Sequence, residues 1–321
     1  MNIKQLDAKL SGYKFLSESG RACWYCYAYQ ICRQAVELGT KEWEINYGKI
    51  DTPFGSYSSN HIVKWFFVSK DLKQFTNFIR RYISNPKLLE YLKNDIEDLK
   101  NRIIALVGYE DFSRYSNKEL GFILSRYFDL YKLFFKATMS LRTIDRGVIA
   151  TIRQDFPSDK ADEIIRTVSI TNEPSFSLRE EIAILNLAVI TKEKELNLNS
   201  AEIEKGVKEL VDKYAWSVLG YYKEQSNTEN GYKNRLAELI KENPRFFLDN
   251  LNLRLKEDNK KSDALLKEFS HTQKKIAHIA SMAAYLKDFV KSRINESQYR
   301  SEQLFMEIAI RIGKSTDFVK D

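Results

Sequence analysis

The sequence predicts an all-α protein, a multi-helix bundle of long antiparallel helices with a small irregular or β-containing N-terminal segment. Three observations predict it. Apolar residues recur at spacings of three and four from about residue 69 onward, the period of one face of a helix. Glycine and proline are few, 12 and 5 in 321 residues, whereas strand-rich and dinucleotide-binding folds need tight turns and glycine-rich loops. Helix-start signals punctuate the chain at intervals suited to a bundle. The reading separates residues 1–68, an irregular aromatic-rich segment, from a helical domain over 69–321.

Within the first segment, Cys23 to Leu38 can form a helix. Trp43, Ile45, Tyr47 and Ile50 alternate loosely, Pro53 and Gly55 read as a turn, and Ile62 to Val68 is β-branched and aromatic, so short strands or a hairpin are expected there. Next, Asn85-Pro86 reads as a cap with proline at the first helical position. It leads into a stripe of Leu88, Leu92, Ile96, Leu99, Ile103 and Leu106, which Gly108 stops. Ser116 and Glu119 form a capping box that opens a helix running to about Gln154, before Pro157. It is apolar on more than one face, which predicts a central position.

Ser177 with Glu180 reads as a second capping box, before Ile182, Leu185, Ala188 and Val189. Ser200 is expected to cap a helix through Ile203, Val207 and Leu210 to Trp216, and Glu224 to Gly231 to form a polar loop. The last third reads as two long helices. Leu265, Phe269, Ile276, Ile279, Ala283, Leu286 and Val290 are near-heptad, a spacing that favours shallow antiparallel packing. Leu304, Phe305, Ile308 and Ile312 continue it to Gly313. No internal repeat of fixed period is present.

Hydrophobic residues make up 43% and aromatics 13%, enough for a core and against global disorder. The net charge of +7 is a small excess of 51 basic over 44 acidic residues. Most basic residues stand beside acidic ones, so a mixed solvated surface is expected rather than a polyanion-binding face, and nucleic acid is an unlikely partner. The N-terminus carries Lys4, Asp7 and Lys9, unlike a secretory signal. The most apolar stretch, Phe122 to Met139, is broken by Arg126, Asp129, Lys132 and Lys136. No membrane span and a cytoplasmic location are therefore expected.

Complete catalytic apparatus is not visible. Cys23, Cys26 and Cys32 with His61 fit no zinc spacing, and ordinary buried thiols are the plainer reading, so no metal is expected. His271 and His278 are seven apart and share a helix face. With Lys274 and Lys275 beside them, they read as one exposed and one partly buried helix histidine rather than metal ligands. No metalloprotease helix, nucleophile elbow or phosphate loop occurs. Arg142 and Arg146 flank Asp145 in an apolar setting. They read either as ion pairs with Asp145 or Asp129, or as an interior anion site.

Three segments together resemble one family: Ile170-Thr-Asn-Glu-Pro-Ser-Phe-Ser-Leu-Arg-Glu-Glu-Ile-Ala-Ile-Leu; Lys213-Tyr-Ala-Trp216 with Gly220-Tyr-Tyr222; and Tyr299 onward with Glu307-Ile-Ala-Ile-Arg-Ile-Gly313. The chain over about residues 65–321 is similar to the central helical region of phosphoenolpyruvate synthase-like phosphotransferases, a group that includes enzymes like rifampin phosphotransferase. The resemblance implies a module that works beside an ATP-grasp part, which binds ATP and Mg, and a swivelling phosphohistidine domain. In the three-part forms the middle region binds the small-molecule acceptor.

The chain departs from that pattern. None of its three histidines has a glycine within the five residues before it, no glycine-looped nucleotide region precedes the helices, and the chain stops about where the swivelling domain would begin. The family often has a histidine three positions before the Lys-Tyr pair, and here Leu210 stands there. The expectation is therefore a stand-alone acceptor-binding or scaffold module, with no catalytic residue and no cofactor of its own. The candidate substrate-binding residues are Arg142, Arg146, Lys213, Tyr214, Trp216, His271, His278, Arg293 and Arg300. Tyr214 and Trp216 would point to different faces of a helix, so that one packs inward. The alternative is a helical protein- or nucleic-acid-interaction protein with no phosphotransfer role.

Overall fold

The computed structural model describes residues 13–19, 55–59, 62–68, 79–80, 82–108, 111–170, 173–217 and 228–313. The fold is all-α in class, a multi-helix bundle with a small N-terminal sheet. The chain divides into two compact units, Met1–Asp155 with Gly220–Tyr222 and Arg300–Asp321, and Phe156–Leu219 with Lys223–Tyr299. The boundary at residue 68, drawn where helical periodicity begins, lies within the first.

In the first unit, β1 (Tyr13–Ser19), β2 (Gly55–Ser59) and β3 (Ile62–Val68) form an antiparallel sheet in the order β1-β3-β2. Ser59 pairs with Ile62 and Gly55 with Phe66, and the register of β1 on β3 shifts between Phe15 and Ser17. Gly55 therefore opens a strand instead of forming a turn. The expected helix from Cys23 to Leu38 lies outside the described residues, as do the three cysteines and His61.

Helix α1 (Lys87–Val107) buries Leu89, Ile96, Leu99, Ile103 and Val107, and packs along the 39-residue α2 (Asn117–Asp155). Pro86 flanks α1 rather than occupying its first turn. The box opening α2 forms as expected: the Glu119 carboxylate accepts from the Ser116 N–H at 2.7 Å, and Ser116 Oγ accepts from the Glu119 N–H at 3.3 Å. At about 1.5 Å per residue α2 is roughly 58 Å long. Its fully buried positions include Tyr127, Tyr131, Phe134, Leu141, Ile144 and Val148, a stripe at helical spacing, while Phe122 is exposed.

At one end of that stripe, Tyr127 meets Tyr131 in a stacked pair at 5.6 Å and the Phe305 ring edge-on at 5.3 Å. Phe305 belongs to α9 (Glu302–Arg311), where Arg311 reaches back to Asn117 Oδ1 at 2.9 Å and to the carbonyls of Phe112 and Ser113. Gly313, at φ 70°, ends the element as expected.

The second unit holds α3 (Ser158–Val168), α4 (Phe176–Glu193), α5 (Ala201–Tyr214), α6 (Glu229–Lys241), α7 (Pro244–Glu268) and nearly all of α8 (His271–Arg300). Ile184, Ala188, Ile203, Val207, Leu210, Tyr214, Tyr232 and Leu236 form its main core, from α4, α5 and α6. Four sequence expectations need correction here. Ser175, not Ser177, caps α4, its hydroxyl accepting from the Leu178 N–H at 3.2 Å. Ser200 stands at the start of α5, yet its hydroxyl makes no cap bond there. Thr228 begins α6 inside the stretch read as a polar loop, accepting from the Gly231 N–H at 3.1 Å. The stripe from Leu265 to Val290 is interrupted, because Ser270 and Gln273 form a capping box that starts α8.

The end of α4 carries no glycine. Glu195 adopts φ 52°, the Leu196 N–H donates to Thr191 O at 2.9 Å, and the Glu195 N–H donates to Lys192 O at 3.3 Å. This is the paired bonding of a Schellman end, with a side chain where glycine is usual.

Three outcomes follow from this packing. Ile184→Ala, at 0% exposure, is expected to lose about 2–5 kcal/mol in denaturant unfolding. Glu195→Gly is expected to be neutral or stabilising by up to about 1 kcal/mol, since it relieves a left-handed residue but loosens the unfolded chain. The Glu119 carboxyl is held below its ordinary 4.5 by its Ser116 bonds. Its contribution is therefore present above pH 4.5 and lost as pH falls through the depressed folded value, and Glu119→Gln should flatten that part of an acid unfolding profile.

Candidate functional site

A buried polar cluster stands out in the second unit because it contains a carboxylate. Glu180 is 7% exposed. An unpaired charge in such a place is strongly unfavourable, so its partners decide whether the unit can hold it. Glu180 Oε1 accepts from the Tyr232 hydroxyl at 2.8 Å and Oε2 from the Ser217 hydroxyl at 2.7 Å. The Arg235 guanidinium lies 3.6 Å from Oε1, a counter-charge rather than a further hydrogen bond. The geometry comes from three places: Glu180 on the second turn of α4, Ser217 just beyond α5, and Tyr232 and Arg235 one turn apart on α6.

The walls are aromatic. Phe176 stacks on Trp216 with ring centres 4.0 Å apart and lies 5.0 Å from the Tyr214 ring. Such pairs contribute about 0.5–1.5 kcal/mol beyond area burial. Helix α8 closes another side: Asp288 Oδ2 accepts from the Phe176 N–H at 2.7 Å, and Ser281 donates to Ile170 O at 3.0 Å. Asn295 of α8 lies beside Ser217, its Nδ2 donating to Ser217 O at 3.5 Å.

Burial, and then the hydrogen bond to Glu180, hold the Tyr232 hydroxyl well above its ordinary value of 10.0. It therefore remains a donor through the physiological range. Chemically the cluster is a carboxylate saturated by two hydroxyls and balanced by one guanidinium. That arrangement fixes α4, α5 and α6 in one register. Among the described residues no group of three histidine, cysteine, aspartate or glutamate side chains could hold a metal ion.

The sequence-predicted residues fall in several places. Tyr214 and Trp216 are both in the cluster, each 3% exposed. The expectation that only one would turn inward assumed a helix through Trp216, but α5 ends at Tyr214 and Trp216 lies in the turn beyond it. Lys213 is exposed at the cluster's edge, its Nζ 5.5 Å from the Tyr214 ring centre. Leu210, where the resembled family often has histidine, is a core residue at 5% exposure.

His271 and His278 are both exposed, so neither is partly buried. The solvent-facing side of α8 takes both because Ile276, Ala277, Ile279 and Ala280 occupy the buried side. Arg293 is half-buried, bonded to Glu296 at 3.1 Å and set over the Phe289 ring at 4.6 Å. Arg300 is the last residue of α8. Arg142 and Arg146 lie in α2 of the first unit, where Arg146 and Asp145 are half-buried and neither is free. Asp129 pairs with Lys132 at 3.1 Å. Of the nine candidates, Lys213, Tyr214, Trp216, His271, His278 and Arg293 belong to the second unit, and Arg142, Arg146 and Arg300 to the first.

Sequence reasoning missed Glu180, Ser217, Tyr232 and Arg235. Tyr232 and Arg235 carried the one available signal, two polar residues three apart on the otherwise apolar face of a helix with Leu236. Glu180 reads in the sequence as a cap because Ser177 precedes it by three.

The cluster sets an order of stability losses in urea unfolding. Tyr232→Phe leaves a buried carboxylate oxygen short of its donor and is expected to lose roughly 1–3 kcal/mol. Arg235→Met, at a half-exposed and solvent-screened guanidinium, should lose less. Tyr232 also makes the fold alkali-sensitive. Its folded value is raised, so above pH 10.0 the unfolded chain loses a proton that the folded one keeps, and stability falls as pH rises. Tyr232→Phe should flatten that alkaline slope. An unchanged slope would show that Tyr232 does not carry it.

Comparison with protein-family models, with curated proteins and with solved structures found no match to this chain.

Proposed function

We propose that the chain is a stand-alone helical module of a phosphoenolpyruvate synthase-like phosphotransferase system. It binds the acceptor, or scaffolds separately encoded ATP-grasp and phosphohistidine domains, and is not catalytic alone. One observation carries the reading. Two of the segments on which the resemblance rests meet in space: Phe176 stacks on Trp216 and lies 5.0 Å from the Tyr214 ring. Separated segments that pack together are one structural unit, so their residue types are linked by physics as well as by order along the chain. The saturated Glu180 cluster supplies rigidity, and exposed Lys213 supplies a cation at its edge. That combination suits a surface that receives an anionic acceptor or a phosphorylated partner.

A pull-down of the chain with ATP-grasp and phosphohistidine proteins of this kind, followed by transfer of label from ATP to hydroxyl acceptors, tests the proposal. Co-purification is expected, and transfer should depend on the chain. Lys213→Ala should weaken either step at least several-fold without changing the unfolding midpoint. Absence of both association and chain-dependent transfer would overturn it.

A second reading, a helical protein- or nucleic-acid-interaction protein with no phosphotransfer role, is favoured by the exposed side chains Phe246, Phe247 and Leu253 on α7 and by the net charge of +7. Binding to random DNA or RNA that falls steeply with salt would support its nucleic-acid form.

A further inference from the structure

We draw no further inference here: the strongest candidate, the surface patch of Phe246, Phe247 and Leu253 on helix α7, carries nothing because nothing in the structure shows what covers it.

Discussion

A carboxylate taken out of water persists only where donors and a counter-charge replace its hydration, and the second unit meets that condition at Glu180. Ser217 and Tyr232 each give one hydroxyl to a different oxygen, and Arg235 supplies the opposite charge. Each donor belongs to a different part of the chain, so satisfying one buried charge fixes three elements together. Apolar packing of Ile184, Val207, Tyr214 and Leu236 provides the driving force beneath it. Hydrophobic contacts tolerate sliding more readily than a hydrogen bond does, and the carboxylate selects one arrangement among those the core would accept.

The first unit reaches specificity differently. Its stripe along α2 is apolar and aromatic, and the polar fastening lies at the end of α9. There Arg311 joins its own helix to the turn at Phe112–Arg114 and to the start of α2 through Asn117. A planar guanidinium with five donors suits that task, since several acceptors at fixed angles are engaged by one side chain. Ser301, fully buried just before α9, adds a bond to the Tyr127 hydroxyl at 3.2 Å.

The helical class and most helices were legible because their signals are local. Ser116 and Glu119 satisfy each other within one turn, and no tertiary contact is needed to read them. The Ser270–Gln273 box has the same form but was hidden by an apolar stripe that continues across it. The end of α4 offered no glycine to read, because Glu195 takes the left-handed position itself. The cluster was legible only in part. Tyr214 and Trp216 read as an aromatic patch, yet their shared burial depends on the helix ending between them. Glu180 could not be distinguished from a capping residue until its partners were known, since a Ser-x-x-Glu pattern describes both. Tertiary pairing decided between the two, and spacing alone does not encode it.

The bonds of Glu180 join residues 37 and 52 positions apart. Contacts of that sequence separation are entropically expensive to close and are rewarded only once the intervening helices stand. The cluster is therefore expected to form late in folding. It rewards a chain whose α4, α5 and α6 are already docked, and it acts as a brake on their separation more than as a seed for their assembly.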